Sequence, residues 1–304
     1  MKCPDCNTSD SVVKDGTRDT KLGEIQKYHC KKCDKYFSEK KLPNTQCPPK
    51  VIFYTLEQYN RGYPVKKAKT RTGKKYHNSP PTRTIYSWIN KYRDTLTFLK
   101  LRKKFGLNPD ELTTTHRFRH QQIYPFTYHD LKLHLSAKDF PQLRRYISWV
   151  ERSLEREMFL KGPRASSMTI ENELKANEKD TIAQELCRYA LLTQRRKESP
   201  HEAVERFFLI NDSKTICSEL PVFLNPDETE RLDIDTPLTG HIDLIQWRFG
   251  NLYIMDYKSN LKYPETHTSQ LYWYKEALHQ RTSIPKNKII PAVFNEHGYY
   301  ELKK

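Results

Sequence analysis

Two aspartates and a lysine near the carboxyl end of the chain have the types and spacing of a site for metal-dependent hydrolysis. Asp243 lies in the segment 239–247, and Asp256 and Lys258 lie in the segment 251–258. Both segments are rich in apolar residues and meet at Gly250-Asn251, so they predict a β-hairpin. With Gly250-Asn251 as a two-residue loop, Asp243 lies opposite Lys258 and diagonal to Asp256, at about 7–8 Å between backbone positions.

Side-chain alternation along this hairpin gathers the two carboxylates and the lysine on one face. Two carboxylates aimed at one point repel each other, and a divalent cation that prefers oxygen ligands, Mg²⁺ or Mn²⁺, offsets the repulsion. Such an ion polarises a phosphodiester and lowers the pKa of a bound water, while Lys258 stabilises developing charge. From these three residues alone, a cross-strand Asp–Lys pair without chemistry explains the pattern equally well. The other face is expected to pack through Ile242, Leu244, Met255 and Tyr257.

The elements that must position these residues follow a simple order from residue 200 onward. A helix begins at Pro200 and carries His201 and Glu205 one turn apart, where both can add metal ligands. A strand over 215–224 precedes the hairpin, and a helix over 269–279 and a strand over 289–294 follow it. The predicted order is therefore αβββαβ.

Four motifs in this region resemble those of the RecB-like branch of PD-(D/E)xK nucleases. They are His201-x-x-x-Glu205, Gly240-His241-Ile242-Asp243, Asp256-Tyr257-Lys258 and Gln270-x-x-x-Tyr274. The resemblance covers residues 181–304 and implies metal-dependent phosphodiester hydrolysis. It implies metal ligation by His201, Asp243, Asp256 and the carbonyl of Tyr257, catalysis by Lys258, and positioning of substrate or water by Gln270 and Tyr274. Glu205 matches less closely, and a structural role is open for Glu205, Glu202 and Glu219.

Four cysteines at the amino end have the spacing of a zinc ribbon. Cys3-x-x-Cys6 and Cys30-x-x-Cys33 can each form a tight knuckle that points two thiolates at one Zn²⁺. A redox dithiol would not need the second pair. Because so small a segment cannot bury enough apolar surface, structural zinc is expected to carry the folding of residues 1–46.

Residues 47–106 predict an all-α, helix-turn-helix unit. One helix runs from Pro49 toward Gly62, a short helix or turn covers 66–75, and a third helix begins at Thr82. The third has apolar residues at i, i+3, i+4 and i+7 from Ile85, and its polar face suits a recognition helix. On periodicity alone it could also be an ordinary bundle helix, but the dense lysines count against that. The expected DNA contacts are Lys66, Lys67, Lys69, Arg71, Arg83, Ser87, Asn90 and Lys91.

The ribbon and these helices together resemble the N-terminal DNA-binding region of InsA-like transposase proteins. The resemblance covers about the first third of the chain and rests on the four cysteines and the helical pattern. It implies contact with duplex DNA and does not imply transposition chemistry.

Residues 107–180 predict a helical connector. A helical pattern opens at 124–129 and continues through Leu131, Leu133 and Leu135, and a second one includes Leu143, Ile147 and neighbouring apolar residues. Gly162-Pro163 then breaks the pattern. The chain is thus predicted to be multidomain, with a ribbon (1–46), a helix-turn-helix domain (47–106), a connector (107–180) and an α/β nuclease domain (181–304).

The charge of the chain is concentrated in one segment. The net charge of +16 lies entirely in residues 1–106, and the remainder is neutral, which is typical of a polyanion-binding module joined to another domain. No apolar run is long enough to span a membrane, and the amino end lacks the apolar segment of a secretory signal. We therefore expect a cytoplasmic, nucleoid-associated prokaryotic protein that binds DNA and not membranes, with a homodimer compatible with the sequence.

The function predicted from these features is that of a metal-dependent DNA nuclease directed to duplex DNA by its N-terminal region. A non-catalytic DNA-binding regulator is the main alternative, and retention of Asp243, Asp256 and Lys258 counts against it. A transposition-associated protein that also joins strands ranks last, because no separate DDE core is evident.

Overall fold

The chain folds into two β-sheets with a group of helices between them in sequence. A computed structural model describes residues 3, 5–6, 8–20, 23–38, 47–120, 122–154, 157–172, 174–229, 231 and 234–303. None of the helices in these ranges combines the length and the apolar character needed to cross a bilayer.

The first sheet is small and antiparallel. It consists of β1 (Val12–Thr20), β2 (Gly23–Cys30) and β3 (Lys35–Ser38), with β2 in the middle. The second cysteine pair, Cys30 and Cys33, lies at the turn between β2 and β3. The predicted domain boundary at residue 46 lies outside the described residues.

Four helices follow: α1 (Pro49–Asn60), α2 (Val65–Tyr76), α3 (Thr82–Tyr92) and α4 (Phe98–Arg102). Gly62 ends the first helical segment with a left-handed φ of +94°, and a Cβ there would lie 3.1 Å from the Leu107 carbonyl oxygen. Glycine is therefore required by both conformation and space. The periodic residues of α3 are buried as predicted, namely Ile85, Trp88, Ile89 and Tyr92.

The prediction of an all-helical connector is wrong. Residues 113–129 form two strands, β4 (Thr113–His120) and β5 (Gln122–His129), and only then follow α5 (Asp130–Ser136), α6 (Pro141–Ser153) and α7 (Met158–Lys161). A further strand is β6 (Lys175–Glu178). Phe118, Tyr124, Phe126 and Tyr128 are buried at every second position, which is the period of a strand. Pro125 has no N–H group, so it interrupts the row of backbone hydrogen-bond donors along β5.

The remaining elements are α8 (Ile182–Leu192), α9 (Pro200–Asn211), β7 (Thr215–Leu224), β8 (Leu238–Arg248), β9 (Asn251–Tyr257), α10 (Thr268–Thr282), β10 (Ile289–Phe294) and β11 (Tyr299–Lys303). The predicted αβββαβ order is confirmed from α9 to β10. Eight strands form one mixed sheet in the order β4-β5-β7-β8-β9-β10-β11-β6. Strands β9 and β10 are parallel, so α10 must cross over between them.

Helices cover both faces of this sheet. One hydrophobic cluster joins the sheet to α5, α6 and α10, and the other joins it to α8 and α9. The second cluster also contains Phe53 of α1 and Trp88 and Ile89 of α3. The Phe53 ring lies 4.0 Å from the Tyr189 ring of α8 between centroids. The N-terminal helices therefore share a core with the large sheet.

A buried ion-pair network connects α1 to α9. The Glu57 carboxylate is 1% exposed and lies 2.5 Å from the Arg206 guanidinium and 3.1 Å from that of Arg61. Arg206 also contacts Glu198 at 2.5 Å. Burial alone would raise the pKa of Glu57, but Arg206, Arg61 and Arg195 together lower it to about 2. The carboxylate is thus held ionised within the protein.

Glu57→Ala is expected to lower the free energy of unfolding by about 3–5 kcal/mol at neutral pH, because it removes the buried anion that Arg206 and Arg61 share. Since the folded pKa is depressed from 4.5 to about 2, this contribution is complete above about pH 4.5 and is lost as pH falls toward 2. Urea unfolding at pH 7 and pH 3 measures both effects. The exposed Glu157→Ala is the control, expected to change stability by less than about 0.5 kcal/mol. A Glu57→Ala effect as small as that of the control would contradict the network's role.

Candidate functional site

The turn that joins β8 and β9 lies one residue earlier than predicted. Arg248 pairs with Asn251, so the two-residue loop is Phe249-Gly250 and not Gly250-Asn251. Both loop residues have a positive φ, +50° and +67°, which is the conformation of a type I′ turn. The turn could not be placed from the sequence, because its first residue is Phe249, whereas glycine or asparagine usually occupies that position.

The earlier turn shifts opposing positions by two residues and leaves the faces unchanged. Leu244 pairs with Met255, and the same register continued by one residue places Asp243 opposite Asp256. The prediction that Asp243 lies opposite Lys258 is therefore wrong, but the two aspartates share a face. Because the pairing shifts by an even number of residues, the charged side chains still lie on one face of the hairpin.

Glu219 of β7 causes a local break in the strand pattern next to Asp243. The pairs Ser218–Leu244 and Leu220–Ile242 flank it, and Glu219 itself has a left-handed φ of +54°. This conformation is strained for a residue with a Cβ and is typical of functional sites. It also explains why Ile242 packs in the cluster with α10, and not with Leu244 as predicted.

The N-terminal turn of α9 is fixed by a capping box. The Ser199 hydroxyl accepts a hydrogen bond from the backbone N–H of Glu202 at 3.1 Å, and the Glu202 carboxylate accepts one from the N–H of Ser199 at 2.6 Å. Pro200 occupies the first helical position, where its fixed φ suits the helix. Glu202 therefore has a structural role, and the cap fixes the direction of the helical turn that carries His201 and Glu205.

The His201 imidazole lies at the centre of three carboxylates. Its Nε2 atom is 2.9 Å from Glu205, 3.3 Å from Asp243 and 3.8 Å from Glu219. Ligand atoms of His201, Glu205 and Glu219 all lie within 4.8 Å of one another. Helix α9 and strand β7 thus bring together three donors that could hold one metal ion, and Asp243 of β8 lies beside them.

The second half of the site lies between β9 and α10. The Lys258 Nζ is 2.8 Å from Asp256 and donates a hydrogen bond to Gln270 Oε1 at 3.2 Å. The Gln270 amide in turn donates to Asp256 at 3.2 Å and to the Tyr274 hydroxyl at 3.0 Å. Gly240 permits this approach, because a Cβ there would lie 2.3 Å from the Tyr274 ring.

Tyr257 contributes a backbone group. Its N–H donates a hydrogen bond to Asp243 Oδ2 at 2.8 Å, while its side chain is buried on the opposite face with Phe294. Metal ligation by its carbonyl stays a prediction.

Burial and mutual repulsion distribute the protons of this cluster unevenly. Asp243 raises the pKa of His201 to about 12, so that the ring is a cation. Burial raises the pKa of Glu205 and of Glu219, with repulsion between the carboxylates adding to it. Burial and the nearby Asp243 raise the pKa of Asp256 to about 7. Burial opposes ionisation of Asp243 too, but His201 keeps its pKa below the usual value.

This set of donors fits a divalent cation. Four carboxylates no more than 6% exposed, those of Asp243, Asp256, Glu205 and Glu219, face two cationic side chains. Oxygen donors at this density, with the His201 imidazole once a bound cation has displaced its proton, match Mg²⁺ or Mn²⁺ more closely than a softer metal. A bound divalent cation would relieve the repulsion that holds protons on these groups.

A cavity of about 560 Å³ opens onto the cluster. It is also lined by Tyr124 and Arg164, which the sequence did not single out. Glu219 also lines this cavity, although the sequence suggested no more for it than a structural role. No sequence pattern predicts that a glutamate within a buried strand adopts a left-handed backbone conformation. Tyr124 was not identified because its segment was predicted to be helical.

The four cysteines of the ribbon also come together. The Cys3 and Cys33 sulfurs are 3.5 Å apart, as are those of Cys6 and Cys30, and all four lie within 4.8 Å of one another. This is the donor set of a closed tetrahedral metal site.

The predicted DNA contacts are not all equally accessible. Arg83, Ser87, Asn90 and Lys91 of α3 and Lys66 and Lys67 of α2 are exposed, whereas Lys69 and Arg71 are half-buried. Arg71 donates a hydrogen bond to Gln58 at 2.6 Å and lies over the Tyr63 ring, so it is already engaged by its own fold. Tyr86 is also exposed on the polar face of α3, at 53%.

Comparison with known proteins gives one family match. Residues 127–299, more than half of the chain, match the model of the PD-(D/E)XK nuclease superfamily. No curated protein and no solved structure matches the chain.

Glu219→Gln is expected to weaken Mn²⁺ binding by about 10–100-fold, the range for disturbing the surroundings of a metal site. The change removes a carboxylate that a bound cation would hold ionised, while keeping the size of the side chain. Isothermal titration of Mn²⁺ into the zinc-loaded full chain measures the affinity. Glu276→Gln, in α10 but outside the cluster, is the control. Equal affinities for the two variants would exclude Glu219 from the metal site.

Proposed function

The chain belongs to the PD-(D/E)XK nuclease superfamily, and from that membership we propose that it is a metal-dependent deoxyribonuclease directed to duplex DNA by its N-terminal region. The observation that carries the proposal is the convergence of Asp243, Asp256 and Lys258 beside His201 in one cavity. The matched region spans the strands and helices that hold these residues, from β5 to β11.

The site residues divide into metal ligands and substrate-facing groups. We assign Asp243, Asp256 and His201, with the Tyr257 carbonyl, to a catalytic Mg²⁺ or Mn²⁺, and Glu205 and Glu219 supplement this set. When bound, the ion supplies Lewis-acid polarisation of the phosphate and a more acidic water. Because these carboxylates are buried, bulk water competes less with them for the ion.

Lys258 acts on the phosphate. Its ammonium is held by Asp256 and Gln270, so it is fixed before substrate arrives and can stabilise negative charge that develops during hydrolysis. The Gln270 amide contacts both Asp256 and Tyr274 and orients this side of the site. We assign Gln270 and Tyr274 to positioning of substrate or water.

The N-terminal region supplies binding to DNA in this proposal. Residues 1–106 hold the net charge of +16, and exposed polar groups of α3 face away from the shared core. We propose structural Zn²⁺ at the four cysteines and a helix-turn-helix role for α1 to α3. A homodimer and association with a prokaryotic nucleoid remain predictions from the sequence.

A DNA-binding regulator without catalysis is the competing proposal. It would need no fixed lysine in the cavity, whereas Lys258 is held by two partners here. Strand joining by a transposition-associated protein would produce ligated products in the same assay.

Asp256→Asn and Lys258→Ala are each expected to reduce DNA cleavage at least about a hundredfold, since each removes a charge that acts on the reacting phosphate or its metal. Cleavage of linear, circular and single-stranded DNA is measured with Mn²⁺ and with EDTA. Lys258→Ala should retain Mn²⁺ binding, and both variants should retain duplex binding, which is assigned to the N-terminal region. The double variant should be little worse than either single one. Cleavage at the wild-type rate by Asp256→Asn would refute the site.

The ribbon is expected to hold one zinc per chain. Elemental analysis of protein purified without added metal should show stoichiometric zinc, and Cys30→Ser should lose both the zinc and the local fold, because metal binding and folding are coupled in so small a segment. Cys217→Ser, a buried cysteine of β7 far from the ribbon in sequence, is the control and should keep its zinc. Stoichiometric iron in place of zinc would contradict the assignment.

A further inference from the structure

The hairpin of β4 and β5 leaves the large sheet and forms one wall of the catalytic cavity. Among the described residues, β5 pairs with β7 through Thr127 and Tyr128 alone. The ladder ends beside Pro125, which has no N–H to donate. Beyond that point the hairpin contributes Ile123, Tyr124 and Pro125 to the cavity lining.

The inner face of the hairpin is anchored. The Tyr124 ring stacks on the buried His241 ring, with centroids 4.3 Å apart and an angle of 11° between the planes. Its hydroxyl accepts a hydrogen bond from Arg164 at 2.6 Å, and Phe118 beside it is 2% exposed. The wall is therefore a fixed surface with a defined position relative to Asp243 and its neighbours.

The outer face of the hairpin carries two exposed arginines. Arg117 pairs with Pro125, and Arg119 pairs with Ile123. Because directly opposed residues in an antiparallel pair point to the same side, the arginines share the face of two residues that line the cavity. Neither guanidinium has an ion pair or hydrogen bond with any residue in the described part of the chain. Ile123 is 66% exposed.

We propose that this outer face binds the sugar-phosphate backbone of the nucleic-acid strand that enters the cavity, with Arg117 and Arg119 on neighbouring phosphates and Ile123 against a base or sugar. The inference rests on the proposed nuclease function. Guanidinium groups recognise phosphates through two parallel hydrogen bonds, and two positions along a strand are about 6.8 Å apart, comparable to the step between phosphates. An exposed apolar side chain beside them suits contact with a base.

Strand β4 and most of β5 lie outside the part of the chain that matches the superfamily model, which begins at residue 127. Strand β4 is also the edge of the sheet, and charged side chains on an edge can serve to prevent pairing with another chain. Binding measurements and oligomeric state separate these two roles.

The test uses the full zinc-loaded chain with Asp256→Asn to prevent cleavage, and a labelled single-stranded DNA of about 12 nucleotides. Arg117→Ala/Arg119→Ala should raise Kd about tenfold or more and reduce the slope of log Kd against log salt by about 1.4, for two phosphates. Arg144→Ala/Arg145→Ala, which removes two exposed arginines of α6, is the matched control and should change neither. Arg117→Lys/Arg119→Lys should recover most of the salt slope. In the chain without Asp256→Asn, the alanine pair should raise KM more than it lowers kcat.

The outcomes distinguish this inference from the nuclease proposal. If the wild-type chain cuts DNA and the Arg117→Ala/Arg119→Ala variant behaves as the control, the inference is wrong and the nuclease stands. If the wild-type chain cuts no DNA but the variant still loses binding relative to the control, the surface is supported and the nuclease proposal fails. A variant that self-associates in size-exclusion chromatography with unchanged Kd would show that the arginines protect the edge strand, which overturns the inference.

Discussion

The need to hold four carboxylates close together inside the protein governs this structure. Asp243, Asp256, Glu205 and Glu219 are each nearly inaccessible to water, and an isolated buried charge is costly. Each is placed by a separate local constraint: a type I′ turn for the aspartates, a capped helix for Glu205 and a left-handed backbone for Glu219. The cations His201 and Lys258 offset part of the repulsion, and a divalent cation offsets more. The strain at Glu219 is tolerated because strands on both sides fix its neighbours.

Helix α9 joins this site to the rest of the chain. Its first turns present His201 and Glu205 to the cavity, while Arg206 points away toward Glu57 of α1. Phe207 and Phe208 pack in the same cluster as the apolar faces of α1 and α3. The predicted separation into domains therefore describes the order of elements along the chain better than their packing, since the helices predicted to bind DNA pack against the helix that carries His201.

The sequence predicted the strands and helices that carry the site more reliably than the elements around them. The αβββαβ order, the cysteine cluster and the shared face of Asp243 and Asp256 follow from spacing and period, which are local properties. The hairpin turn was misplaced because Phe249 adopts a positive φ that glycine or asparagine usually supplies. Strands β4 and β5 were missed because the leucines of α5 have helical spacing, and the predicted helix was taken to begin too early, at residue 124. Glu219 could not be identified, because its position depends on backbone strain imposed by tertiary contacts.

The buried contact between Glu57 and Arg206 has a consequence for how such a chain can diverge. Glu57 lies in α1 and Arg206 lies in the helix that carries His201, and each also has a second partner, Arg61 and Glu198 respectively. A recombination event that replaced the N-terminal helices would remove one of the two anions that hold Arg206, within two turns of His201. If α3 binds DNA as proposed, new specificity is expected to arise by substitutions on its exposed face. The ribbon, whose four cysteines lie within the ribbon itself, is the part that we expect can be exchanged as a unit.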